Sequence, residues 1–375
     1  MEYNLVIDLP AMIYVLSIDW LSLFCIHLGQ GEWLPKNGGT FTYKTENFGT
    51  RSFSRFVRVR LANDEGGTDE FAEIQATPYS SILPEYAIII RFVNRALYLP
   101  DFWDLADRLL TENNFSFNSI SRIDICADFN NFATLAPKEL IERFAAKKLR
   151  HIGRGVGALY FNHGIGAEKD LTGAGSREYG VNYTGISFGT HSSDARVYLY
   201  NKTFELLTQG DKPWIRDTWR AAGLDIRHVW RLEVSIKRSG LHFKDKTSGS
   251  KKTIDVQSVY DRSELDKVYH TFVNKLFAFV KNPPSQKNIS REPRVTLFDG
   301  RPAYDRCTIQ NLSPGNRTEK ILIKSLHQLA DRYRGRWIDG QRETAENLAS
   351  ILAITTDLSE WYQLNKTEWE TPIHK

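Results

Sequence analysis

Three short segments alternate polar and apolar side chains with a period of two, and this pattern restricts the fold more than any other feature of the chain. In SRIDICADF, Arg122, Asp124 and Asp128 fall on one side, and Ile123, Ile125 and Ala127 on the other. In ARVYLYNK, Tyr198, Tyr200 and Lys202 alternate with Val197 and Leu199. In WRLEVSIK, Arg231, Glu233, Ser235 and Lys237 alternate with Leu232, Val234 and Ile236. Successive side chains of a strand point to opposite faces, so each segment reads as a strand with an apolar back and a polar front. Antiparallel strands with one wet face alternate this way for structural reasons alone. The content of these three goes further. Two aspartates stand four apart on an otherwise apolar strand, and a half-buried carboxylate needs a partner. If the three strands share a sheet, their fronts bring together phenols, carboxylates, a lysine and an arginine.

The first half of the chain continues the strand pattern. Candidate strands lie at about 13–28, 39–46, 53–62, 70–78 and 85–93, with turns at Asn37-Gly38-Gly39 and Asp64-Glu65-Gly66-Gly67. Asp101 predicts a helix cap, with Trp103, Leu105, Leu109 and Leu110 as the buried stripe of a helix ending near Glu112. A second helix is predicted from Pro137 to about Lys148, and a third around Pro213–Ala222. The Gly-rich stretch from His151 to Gly185 reads as loops around a short strand at Ala158–Phe161, and HFKDKTSGSKKT as a mobile polar linker. Helix patterns follow at about 263–280, 318–335 and 341–355. The expected class is α+β: a central antiparallel sheet with flanking helices, then a mostly helical basic C-terminal region.

Charge supports that division. From Lys237 to Gly340 the chain holds about 21 Lys/Arg against about 11 Asp/Glu, although the whole chain of 375 residues carries only +4. A basic part of this kind suits a polyanion or a solvated surface. Cys25, Cys126 and Cys307 have neither metal spacing nor the pairing of a disulfide framework, which points to a reducing compartment. The apolar run at 11–28 contains Asp19 and follows acidic rather than basic residues, so it reads as a core strand. The expected location is the cytoplasm.

Common catalytic signatures are missing. The chain has no P-loop, no CxxC or HExxH metal motif and no GxSxG elbow, and its nine histidines do not pair into a ligand motif. A bound metal would rest on carboxylates, which favours Mg²⁺ or Mn²⁺ over zinc. A phenol with a pKa of about 10 is a poor nucleophile until a base, metal or cation favours its phenolate.

FGTHSSDARVYLYNKTFE, preceded by RIDICADF and followed by WRLEVSIK, resembles the Rep_trans family over roughly residues 13–240. That family comprises rolling-circle replication initiators of plasmids, with relatives among conjugative relaxases and filamentous-phage replication proteins. IDWLSL is similar to the family's first strand, with Asp19 at its acidic position. The resemblance implies that residues 1–240 form a nicking and joining domain with Tyr200 as nucleophile, leaving a 5′-phosphotyrosyl link and a free 3′-hydroxyl. Asp124, Asp128 and Glu233 are the expected ligands of Mg²⁺ or Mn²⁺. Arg231 and Lys202 are expected, from charge and direction, to steady phosphate oxygens. Tyr198, Arg196, Arg122, Ser193 and Lys237 are the expected DNA contacts, Ser193 and Gly189 having the alternative of simple turn residues. Tyr198 stands where the family commonly has arginine. Arg196 on the same face can replace that charge, and Tyr198 is then a base-stacking platform or a second nucleophile. Residues 241–375 are expected to bind origin DNA, to dimerise, or both, and a host helicase is the expected partner. Two other functions share these motifs: a relaxase of a mobilisable or conjugative element, and a non-catalytic origin-binding protein. The absence of a helix-turn-helix before the first strand favours replication.

Overall fold

The computed structural model describes residues 12–63, 66–79, 83–153, 157–162, 182–190, 193–245, 251–286, 288–298 and 307–309. The chain divides into two compact units, Met1–Gln310 and Asn311–Lys375. The helices predicted at 318–335 and 341–355 lie outside the described residues.

The first unit is built on one antiparallel sheet. Its strands are β1 (Tyr14–His27), β2 (Phe41–Thr45), β3 (Phe53–Ala62), β4 (Thr68–Pro78), β5 (Ala87–Phe92), β6 (Phe115–Phe129), β8 (Gly157–Asn162), β9 (Asn182–Phe188), β10 (Ala195–Asn201) and β11 (Trp230–Lys237). A short β7 (Leu149–His151) pairs elsewhere, with β14 (Phe279–Lys281). The order in the large sheet is β2-β3-β4-β5-β1-β6-β11-β10-β9-β8. The three alternating segments, on β6, β11 and β10, are therefore adjacent, which meets the condition for their polar fronts to join. All five strands expected in the first half form.

The alternation sorts the two faces as expected. Ile123, Ile125, Ala127, Val197, Leu199, Leu232, Val234 and Ile236 are fully buried in the main core. Helix α6 (Arg262–Leu276) packs on this back face through Leu265, Val268, Tyr269 and Phe272, and the Tyr269 hydroxyl donates to the Leu232 carbonyl at 2.9 Å. Burying several such side chains stabilises by about 1.5–3 kcal/mol each. The helix α1 (Phe102–Glu112) begins after Asp101 as predicted, although the Asp101 side chain makes no capping bond. Helix α2 (Pro137–Ala145) starts on its proline. Because α6 shares the core of the sheet, the first compact unit runs past the boundary expected at residue 240.

Three local expectations are corrected. The Gly-rich stretch hides β9, which runs between β8 and β10. The supposed linker forms β12 (His242–Asp245) and β13 (Lys251–Thr253), in a small sheet with β15 (Cys307–Ile309). Polar composition misled there because backbone pairing needs no apolar face. Finally, β10 ends at Asn201, whose carboxamide accepts from the Phe204 amide at 2.9 Å and caps α3 (Lys202–Gln209). Lys202 therefore opens a helix rather than extending the tyrosine strand. Helix α4 (Pro213–Ala221) follows, and α5 (Val256–Tyr260) precedes α6. No helix among the described residues is long and apolar enough to cross a membrane.

Candidate active site on the polar sheet face

Strand register turns the polar face into parallel rows. Tyr200 lies opposite Arg231, which lies opposite Asp128. The next row is Tyr198, Glu233 and Cys126, and the next Arg196, Ser235 and Asp124. Lys237 and Arg122 pair beyond these. Neighbouring rows stand about 6.7 Å apart, two residues along a strand.

One end of this face is closed by helices. Leu206, Ile215, Trp219, Leu224 and Val229 form a small core that covers the first row, with Val15 and Tyr98 packed against it. The Trp219 indole N–H donates to Asp128 Oδ2 at 2.7 Å. Arg231 is fully buried and spends its whole guanidinium on carboxylates. Its Nε donates to Asp128 Oδ1 at 2.6 Å, Nη2 to Asp128 Oδ2 at 2.7 Å, and Nη1 to Asp19. Asp19 reaches this point because the β1–β6 register shifts between Ile18 and Trp20, a bulge that re-aims one side chain. Asn94 Nδ2 also donates to Asp19, at 3.0 Å. Burial alone would raise the Asp19 pKa, but Arg231, Lys202 and Lys212 outweigh it and hold the carboxyl at about 2.

This arrangement corrects two expectations. Arg231 cannot steady a phosphate, because it is sealed in and bonded to two aspartates. The three carboxylates expected to share a metal ion are not gathered for it either. Both oxygens of Asp128 are engaged as above. Those of Asp124 are held by Arg122, with Nε to Oδ1 at 2.9 Å and Nη2 to Oδ2 at 2.5 Å. Among the described residues no three His, Cys, Asp or Glu side chains are grouped to hold a metal ion. The residues as arranged do not fit the expected Mg²⁺ or Mn²⁺ site. Arginines next to the carboxylates satisfy the need for a partner that the strand pattern implies.

The middle of the face is different. The Tyr200 hydroxyl donates to Glu233 Oε2 at 3.0 Å. Glu233 is only partly buried, yet its pKa rises to about 7. Desolvation is the main cause, reinforced by the charges of Asp19 and Asp124 and opposed by Arg231 and the Tyr200 hydrogen bond. Tyr200 is 9 % exposed, and burial followed by the Glu233 charge pushes its phenol well above the ordinary value. The buried Lys202 ammonium lies 5.6 Å from the Tyr200 ring centroid and pairs with Glu205 at 2.7 Å. Lys202 thus lies beside the Tyr200 ring from the first turn of α3.

Tyr198 stacks on Tyr200, with centroids 4.6 Å apart and planes 28° apart. Burial, then the neighbouring Tyr160 and Glu233, push its phenol up to about 12. Arg196 and Lys237 are half-buried on the same face, and the Arg122 guanidinium lies 4.6 Å from the Trp20 ring. Ser193 closes the β9–β10 turn: its hydroxyl accepts from the Thr190 amide at 3.0 Å, while Gly189 adopts φ +94°.

Sequence reasoning missed Gly185. It sits in register between Tyr160 and Tyr200. A Cβ there would lie 2.7 Å from the Leu199 carbonyl oxygen, 3.1 Å from the Tyr198 ring and 3.1 Å from Tyr200 Cβ. The glycine makes room for the tyrosine stack to lie flat on the sheet. Its signal in the sequence is a glycine inside NYTGISF, where a strand glycine marks close approach. Gly185→Ala is expected to displace the rings and slow any reaction of Tyr200 by about 10²-fold, since small misplacements carry that cost. Single-turnover kinetics beside a thermal melt checks this, and an unchanged rate would remove Gly185 from the site.

No family model matches the chain, and no curated protein matches it. Among solved structures, a rolling circle replication initiator protein from Geobacillus stearothermophilus is similar at a TM-score of 0.44 and 14 % identity, covering 75 % of this chain and 92 % of that one. That likeness is too low to transfer a function.

Proposed function

We propose that this protein nicks and rejoins single-stranded DNA through a phosphotyrosyl intermediate, in the initiation of rolling-circle replication. One observation carries the reading: a nearly buried phenol, Tyr200, donates its proton toward a carboxylate, Glu233, whose pKa is near neutrality. A nucleophile and a base within hydrogen-bond reach, with the base poised near working pH, are what covalent catalysis requires. The three motifs resembling Rep_trans proteins supply the same nucleophile independently.

In the proposed reaction, Glu233 takes the phenol proton and Tyr200 Oη attacks the phosphorus of a phosphodiester. The Oη–P bond forms, the P–O3′ bond breaks, and the departing O3′ takes up the proton held by Glu233. The positive charges of Arg231 and Lys202 favour the phenolate without touching the substrate. Arg196, Lys237 and Arg122 supply the cationic rows along which the backbone would run. An ester is exchanged for an ester, so attack by the 3′-hydroxyl on the phosphotyrosine reseals the strand. Origin DNA is the proposed substrate, and a host helicase the partner that would unwind beyond the nick.

The test is covalent capture. The full chain is incubated with candidate-origin and random single-stranded oligonucleotides, with and without Mg²⁺ or Mn²⁺, and adducts are mapped by peptide mass spectrometry. A phosphotyrosine at Tyr200 is the expected product. Lack of any adduct on an oligonucleotide the protein binds would leave a DNA-binding protein without the chemistry.

The same reading fixes a pH dependence. Glu233 acts as base only when deprotonated, so the nicking rate should climb as pH rises through about 7 and level off above it. Glu233→Gln should lower the rate about 10²- to 10⁴-fold and abolish that inflection. A wild-type rate that is flat between acid and alkaline pH would exclude Glu233 as the base.

A further inference from the structure

We propose that Tyr160 is the platform on which an unpaired base beside the scissile phosphate stacks. The inference rests on the reading of this face as a DNA nicking site, and it moves the stacking role away from Tyr198.

Tyr198 is poorly placed to offer a ring face to a base. It stacks on Tyr200 at 4.6 Å, and Tyr160 meets it at 5.1 Å with planes 58° apart. The three rings form a series that starts at the Glu233-bonded phenol and ends at Tyr160, on β8 at the end of the described sheet order. Tyr160 is the exposed member, at 39 %.

Its orientation is held. The Tyr160 hydroxyl and the hydroxyl of Ser187 share a hydrogen bond of 3.2 Å, and Ser187 is 3 % exposed. The polar tip is thus tied inward while the ring remains outside. In register, Tyr160 stands across Gly185 from Tyr200. Two interstrand spacings put the two positions about 10 Å apart, within reach of a nucleotide adjoining the phosphate at Tyr200. A fixed, exposed aromatic ring at that distance is a stacking platform that tolerates any base, because every base has a π-face.

The experiment uses the full chain and a random-sequence single-stranded oligonucleotide carrying 5-iododeoxyuridine, which photocrosslinks to an aromatic ring stacked on it. The crosslinked peptide is mapped, and binding is measured by fluorescence anisotropy for wild type, Tyr160→Leu and Tyr160→Phe. Expected are a crosslink on Tyr160, about tenfold weaker binding by Tyr160→Leu, and wild-type binding by Tyr160→Phe. The phenylalanine variant keeps the ring and separates stacking from loss of the Ser187 bond. Crosslinks confined to other residues, unchanged binding by Tyr160→Leu, or no binding by wild type would each overturn the platform. Covalent capture at Tyr200 without a Tyr160 crosslink would end this inference and leave nicking standing. A Tyr160 crosslink without any Tyr200 adduct would do the reverse.

Discussion

Tyr200→Phe is expected to abolish covalent capture of DNA, lowering it by about 10³-fold or more, with the fold intact. The change removes one oxygen atom and keeps the ring that Tyr198 stacks on and the Lys202 ammonium faces. Tyr200 is the phenol hydrogen-bonded to Glu233, and loss of one member of a catalytic unit commonly costs orders of magnitude. Stability should fall by only about 1 kcal/mol, the net worth of a single hydrogen bond. Glu233 would lose the donor that opposes its upward shift, so its carboxyl should titrate higher still. The measurement is a denaturing gel of wild type and variant on the same oligonucleotide, with a denaturant melt alongside. Adduct retained by the variant and mapped to Tyr198 would transfer the nucleophile to the neighbouring phenol.

Arg231→Met should destabilise the fold by about 3–5 kcal/mol. Removing the guanidinium leaves Asp128, 1 % exposed, and Asp19 facing each other's charge without a cation between them. Among the described residues, the Trp219 indole and the Asn94 amide would remain as donors to the pair. Such carboxylates stay buried only by taking up a proton, so the variant should gain stability relative to wild type as pH falls. Arg231→Met with Asp128→Asn removes one of the stranded charges and should recover at least half of the loss, even where the single variant fails to fold. Denaturant titration of the three proteins decides the matter. An unperturbed single variant would mean that Arg231 does not hold this end of the sheet together.

Much of the fold was legible because burial writes itself into a strand at every second residue. Val197, Leu199, Leu232, Val234 and Ile236 announce a buried back face without reference to any partner. The adjacency of β6, β11 and β10 came from the sheet order, the sequence having offered it only as a condition. β9 was not legible, because Gly185 and the surrounding Gly-rich stretch carry turn signals even where the backbone pairs on both sides. The change from strand to helix at Lys202 depends on one carboxamide cap, a local choice that periodicity averages over.

The candidate site divides along the same line. Residue types and alternation determined by themselves that phenols, carboxylates and cations lie on one side of each of these strands, because a strand has only two sides. They could not determine which cation meets which carboxylate. That depends on register, where a one-residue slip changes every pair, and on a bulge that delivers Asp19 to Arg231. The tertiary structure decided that Asp128 and Asp124 are held by arginines rather than gathered for a metal ion. It also decided that Arg231 is buried between Asp128 and Asp19 and that Glu233 accepts from the Tyr200 phenol. The physical reason is that burial makes a charge expensive, so a carboxylate pairs with the nearest guanidinium the sheet brings to it, and only three-dimensional register says which is nearest.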